Sequence, residues 1–205
     1  MDFCGCPESA TLIEIIAEAC GIDLNQIQRL GFQRRVIGAF TPVEILTLSA
    51  WQAFKTATDE TKIVFTPMIG GDPIIEAGEA ITVGGGDNST LNGVEEVQGI
   101  NPSKFSTLFK SLSPATEDSI SKLMCEKNLT VYLFLQGGKI ACWTPDISDV
   151  DADLQGIDIQ SFFFSDRNNA GFGTKDTNTM SFAIPAGWSK KLYVFTPDFN
   201  PFTEL

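Results

Sequence analysis

The cleanest alternation in the chain lies at residues 178–185, where Met180, Phe182 and Ile184 are separated by Thr179, Ser181 and Ala183. Strand side chains point alternately to opposite faces, so this period of two predicts a half-buried strand. Residues 129–135 (LTVYLFL) are different, with apolar or aromatic side chains on both faces. Such a strand is expected to be central, or covered on both sides. The turn Gln136-Gly137-Gly138 and the run KIACW behind it complete a hairpin. Further strands are read at 62–69, 90–99, 103–110, 157–165 and 191–196. Residues 26–36 read as a strand or extended arm holding three of the four Arg residues. The ordinary meaning of such a run is an edge strand with its charges in water.

Helical spacing is rarer. Thr41-Pro42-Val43-Glu44 has the form of a capping box with Pro in the first turn. Val43, Leu46, Ala50, Phe54 and Ala57 follow at helical intervals, and Ile45, Leu48 and Trp51 widen the apolar arc. The pattern predicts a helix over 42–57 lying against a sheet. Ser113-Pro114 opens a second helix, with Glu117 and Asp118 in its first turn and Ile120, Leu123 and Met124 facing inward. A short helix is predicted at 9–20, capped by Ser9 and stopped by Gly21.

Between Met68 and Gly93 the strand punctuation gives way to a 26-residue stretch containing seven Gly. Connections of this length without regular structure are uncommon in compact domains and usually serve binding. A short strand signal from Glu79 to Val83 marks it as an extended arm, with Ile74, Ile75, Ile81 and Val83 as the apolar anchors it would bury against a neighbour. The predicted fold is α+β and mostly β. It is a β-sandwich or curved antiparallel sheet with one or two flanking helices and a long extended arm. Residues 1–40 read as an N-terminal extension with a short helix, and 41–205 as the β-sandwich structural domain with the arm at 68–93.

The chemistry of the chain is defined mainly by what it lacks. Its 205 residues contain no His, which removes Ser-His-Asp and Cys-His catalysis and most catalytic zinc sites. Paired-carboxylate hydrolysis stays open, but no pair stands out among 26 acidic residues. The formal charge of −12 disfavours a grip on nucleic acid, which needs clustered Lys and Arg. No apolar stretch approaches the ~20 residues that span a bilayer. The first residues, MDFCGCPESA, lack the basic and apolar regions of a secretory signal. The five Cys are therefore read as reduced thiols, and Cys4, Cys6 and Cys20 lack the spacing of a zinc site.

Asp149, Asp151 and Asp153 alternate as in a calcium loop, but Leu154 stands where Gly is needed and Gln160 where the closing Glu is needed. The loop from Asp146 to Asp158 is thus expected to bind Ca²⁺ weakly or not at all. Val83-Gly84-Gly85-Gly86-Asp87 has no Lys-Ser/Thr behind it, so it lacks the parts of a phosphate loop. No catalytic residue, cofactor or metal is nominated. The triplet Phe162-Phe163-Phe164 must place rings on both faces of its strand. In a lone sandwich one face is usually wet, so these three residues mark a possible subunit interface.

Four segments resemble the virion structural proteins of tailed phages and prophages, and the major tail tube protein type most of all. They are 26–35 (QIQRLGFQRR), 83–106 (VGGGDNSTLNGVEEVQGINPSKFS), 156–168 (GIDIQSFFFSDRN) and 188–202 (WSKKLYVFTPDFNPF). The resemblance implies a β-sandwich with a flanking helix and a long hairpin or loop, assembling into hexameric rings. The rings would stack into a tube with an acidic, DNA-conducting lumen. Its partners would be other copies of itself and other virion proteins, with no sequence-specific nucleic acid and no membrane. The protein would be made in the host cytoplasm and reside in the virion. Two alternatives are another head, neck or tail component, such as a decoration or connector protein, and a carbohydrate- or Ca²⁺-binding β-sandwich module. The latter would use the Asp146–Asp158 loop with Trp143 or Trp188.

Overall fold

The computed structural model describes residues 22, 24, 26–35, 40–86, 89–146, 149 and 152–205. The helix expected at 9–20, with Cys4, Cys6 and Cys20, lies outside them. The fold is α+β and mostly β, built from antiparallel sheets and two α-helices among the described residues.

The first sheet runs in the order β12 (Leu192–Phe195), β8 (Lys139–Trp143), β7 (Leu129–Leu135), β1 (Ile27–Arg34) and β2 (Ile63–Phe65), with β9 (Ile157–Asp158) also pairing β7. The second runs β10 (Gln160–Phe164), β11 (Thr177–Ile184), β6 (Ser103–Lys110) and β3 (Ile74–Glu76). A separate two-stranded ribbon is formed by β4 (Ala80–Val83) and β5 (Glu96–Ile100).

The two larger sheets face each other across one core. Leu30 and Phe32 of β1 and Val131, Leu133 and Leu135 of β7 meet Phe105 and Phe109 of β6 and Met180, Phe182 and Ile184 of β11. The alternation read at 178–185 is therefore the inner face of β11, as expected. A second core covers the other face of the first sheet. There Tyr132 and Phe134 of β7 pack with Ile140 and Cys142 of β8 beneath Trp51, on helix α1 (Leu48–Thr56). Every residue of β7 is buried, which is why its sequence lacks an alternating pattern.

Trp51 organises the second core. Its ring centroid lies 4.4 Å from that of Phe40, 5.2 Å from Tyr132 and 5.5 Å from Phe134. Its indole N–H donates to the Ile45 carbonyl at 2.9 Å, so the polar atom is satisfied in an apolar setting. The capping box forms, but it caps a 3₁₀ turn, Glu44–Leu46. The Thr41 N–H donates to Glu44 Oε2 at 2.9 Å, and the Glu44 N–H donates to Thr41 Oγ1 at 3.3 Å. The backbone then extends at Thr47 (φ −102°, ψ 130°), and α1 starts afresh at Leu48. The predicted helix over 42–57 is thus two pieces, and the break lets Ile45 and Trp51 enter the same core. Thr41→Ala is expected to lower stability by about 0.5–1 kcal/mol, at the low end of the range for caps. An unchanged chemical denaturation midpoint would show that the box contributes nothing.

Three other expectations are corrected. The strand at 26–36 is not at an edge, because β1 lies between β7 and β2. Its polar letters misled because Gln33 is buried within a satisfied network. The Gln33 Nε2 donates to the Thr61 carbonyl at 2.6 Å, and its Oε1 accepts from the Tyr132 hydroxyl at 3.1 Å. Burial holds the Tyr132 phenol well above its ordinary pKa, so it stays a donor. Secondly, Met124 is exposed rather than inward. Helix α2 (Pro114–Ser121) passes into a 3₁₀ turn at Lys122–Cys125, whose tighter winding rotates Met124 off the face of Ile120. Thirdly, the strand read at 157–165 is two strands. β9 pairs β7 of the first sheet, and β10 pairs β11 of the second, with the change of sheet at Ile159 and an irregularity inside β10 where Ser161 has φ +51°.

Candidate assembly surface

Residues 66–71 carry the chain from the first sheet to the second. The Thr66 N–H donates to the Leu30 carbonyl at 2.9 Å, Ile69 to Gln28 at 2.9 Å, and Gly70 to Leu108 at 3.2 Å. β3 then adds to the edge of β6, with Ile74 opposite Ser106 and Ile75 opposite Phe105. Ile75 packs against the sandwich core, whereas Ile74 is 51% exposed on the outer face.

The chain leaves the sandwich at Gly78. A Cβ there would lie 1.7 Å from the Asn101 carbonyl oxygen, so only glycine lets the two backbones cross. The Asn101 N–H donates to the Glu79 carbonyl at 2.8 Å and closes the base of the ribbon. Ala80 stands opposite Ile100, Ile81 opposite Gly99, Thr82 opposite Val97 and Val83 opposite Glu96. At the far end Gly84, Gly85 and Gly86 all have φ between +90° and +115°. The N–H groups of Gly85 and Gly86 both reach the Gly93 carbonyl, at 3.2 Å.

The ribbon's apolar residues join neither core. Ile81, Leu91, Val94, Val97 and Ile100 are all exposed, and Val83 is half-buried. An isolated two-stranded hairpin is at best marginally stable in water, and among the described residues nothing covers the apolar surface of this one. Its charge is one-sided: residues 79–100 include Glu79, Asp87, Glu95 and Glu96, and no Lys or Arg.

The four residues read as arm anchors thus divide. Ile74 and Ile75 belong to β3 of the sandwich, and Ile81 and Val83 share one face of the projecting ribbon. Val97 and Ile100 were not named as anchors, because the strand read at 90–99 was not paired with the one at 79–83; it starts only at Glu96, after a 3₁₀ turn at Leu91–Gly93. The signal that could have found the pairing is the two β-prone runs, at 79–83 and 90–99, on either side of a turn-rich GGGDNSTLNG segment.

The phenylalanine triplet alternates as its strand requires. Phe162 points inward, its ring edge-on to Phe32 at 5.3 Å and stacked with Phe182 at 6.4 Å. Phe164 is buried, and Phe163 is 52% exposed on the outer face. Register joins it to Ile74 in one row: Ile74 faces Ser106, Ser106 faces Ser181, and Ser181 faces Phe163. Both edges of this sheet, β3 and β10, therefore present an exposed apolar side chain on the same face.

The remaining features offer little chemistry. Asp151 of the acidic loop lies outside the described residues, and no cluster of three potential metal ligands occurs among those described. No described helix is long and apolar enough to cross a membrane. Trp143 and Trp188 line one cleft with Ile157 and Pro185. The Lys191 ammonium sits 5.6 Å from the centre of the Trp143 ring, and the Trp188 indole N–H donates to Ser103 Oγ at 3.2 Å. Cys142 is buried and its thiol pKa is pushed up by desolvation, whereas Cys125 is exposed. Mass mapping after brief alkylation of the native protein is expected to find Cys125 modified and Cys142 untouched. Equal labelling would mean that the second core opens readily.

No protein-family profile and no curated protein sequence matches the chain. Among solved structures, the chain is similar to a component of the tail of an empty gene transfer agent particle with C6 symmetry. The TM-score is 0.33 at 10% identity, over 68% of this chain and 87% of that one. A component of the virion of a native gene transfer agent particle gives a TM-score of 0.30 at 11% identity, over 62% of this chain and 82% of that one. Likenesses at these scores carry no argument about the fold or the role of this chain.

Proposed function

We propose that the chain is a non-enzymatic virion structural protein that self-assembles, as a tail tube subunit forming stacked rings around a DNA-conducting lumen. The observation that carries this reading is the β4–β5 ribbon, which stands off the sandwich with Ile81, Val97 and Ile100 in water. Exposed apolar surface on an ordered projection gains free energy when a neighbour covers it, at roughly 25 cal/mol per Å². The absence of His and the lack of a singled-out carboxylate pair support a structural rather than a catalytic role. A net charge of −12 suits a wall that DNA must slide past without sticking. Ile74 and Phe163 extend the contact surface to the outer face of the second sheet. The partners in this reading are further copies of the chain and other virion proteins.

Negative-stain microscopy of the purified protein tests it. Rings or tubes of uniform diameter are expected. Particles of monomer size at every concentration tried would overturn the proposal.

A further inference from the structure

The connection between β10 and β11 ends in a turn that holds one aromatic ring in water. Phe172 has 110% of the exposure of an extended reference, more than any other large apolar residue described. Both its neighbours are glycines with positive φ, Gly171 at +96° and Gly173 at +83°. The turn is nonetheless well tied. The Thr174 N–H and hydroxyl both donate to the Gly171 carbonyl, at 3.3 and 2.8 Å, and the Gly171 N–H donates to Asn169 Oδ1 at 3.0 Å. Its base is clamped to the start of α2. Arg167 donates to the Leu112 carbonyl at 2.7 Å and pairs with Glu117 at 2.5 Å, and Asn169 donates to Asp176 at 2.7 Å. A ring presented on a fixed turn loses little freedom on docking, which makes it an efficient anchor.

The same strand leads to a receptor of matching chemistry. β11 begins at Thr177, close behind the turn, and ends at Ile184, immediately before Pro185, Gly187 and Trp188 of the cleft described above. That cleft, between Trp143, Ile157, Pro185 and Trp188, is predominantly apolar and offers about 240 Å³. This is below the roughly 300–1,000 Å³ of small-molecule pockets and suits a single ring. Seven steps along the strand, at about 3.4 Å each, separate its two ends by about 24 Å. A chain cannot fold Phe172 back across that distance to its own cleft.

We infer that Phe172 of one copy docks in the Trp143–Pro185–Trp188 cleft of the next. Knob and socket are different surfaces at opposite ends of one strand, so the contact is head-to-tail and repeats along the strand direction unless a rotation closes it. The inference rests on self-assembly as proposed above, and it assigns that assembly a second contact, separate from the β4–β5 ribbon.

The test pairs a variant with a mapped cross-link in the full chain. Phe172→Ser removes no buried contact, so its melting curve should match that of the native protein. Its self-association, followed by sedimentation, should weaken about tenfold or more. With p-benzoylphenylalanine in place of Phe172, irradiation should give an intermolecular adduct mapping to residues 185–191 or Trp143. Native protein that assembles while Phe172→Ser assembles equally well would overturn the docking alone. So would an adduct mapping to any other surface of the chain, or to a different protein. Native protein that stays monomeric throughout would overturn the docking together with the assembly reading beneath it.

Discussion

Trp51→Ala is expected to be among the most damaging single changes in this chain, costing about 3–5 kcal/mol. The indole is fully buried and touches the rings of Phe40, Tyr132 and Phe134. Those rings come from a strand-like segment before α1 and from the central strand β7, so none of them can collapse far into the space left behind. The change also leaves the Ile45 carbonyl without the indole donor it accepts at 2.9 Å. For a domain of this size each kcal/mol corresponds to roughly 2–4 °C, so the melting temperature should fall by about 6–20 °C. Trp51→Phe separates the two contributions. It keeps most of the aromatic contact and loses the hydrogen bond, so it should cost clearly less. A melting temperature within about 2 °C of native for Trp51→Ala would mean that the helical layer is not part of the cooperative unit.

That layer is also where sequence and structure agree best. The two-sided composition of 129–135 and the wide apolar arc around Trp51 each demand a covering partner, and they cover each other. The single-faced alternation of Met180, Phe182 and Ile184 was equally legible, because the outer face of β11 is Thr, Ser and Ala. β1 was harder to read. A buried Gln that is satisfied by Thr61 and Tyr132 has the same letter as an exposed one, so an interior strand looked like an edge. Sheet-switching at Ile159 was hidden as well, since one continuous apolar run served two different sheets.

The candidate site was half legible. Glycine density located the projection, and Ile81 and Val83 were found on it. The strand read at 90–99 was not recognised as its pairing partner, because register over a long turn leaves no local signal. Ile74 and Ile75 were grouped with the projection, although β3 belongs to the sandwich. Phe172 was invisible to periodicity: one aromatic residue between glycines in a polar loop has no repeat to betray it.

The strongest expected effect on assembly comes from the ribbon itself. Replacing residues 79–100 with a short Gly-Ser linker should leave a folded monomer that does not assemble. The ends are already adjacent, since the Glu79 carbonyl and the Asn101 N–H are 2.8 Å apart, so a linker of about four residues can span them. The replacement removes no residue of either core, and melting should be little changed. In the free native chain the ribbon's amides should exchange quickly with solvent, and in the assembly they should be protected, because a marginal hairpin gains its order from the surface that covers it. Were the ribbon instead to pack over its own sheet, the replacement would lower the melting temperature and leave assembly intact.

Sedimentation velocity of the native and ribbon-replaced chains, side by side over the same concentration range, is the most direct measurement. The account predicts large, concentration-dependent species for the native chain and a single monomer boundary for the replacement. Species of the same size in both samples would contradict it.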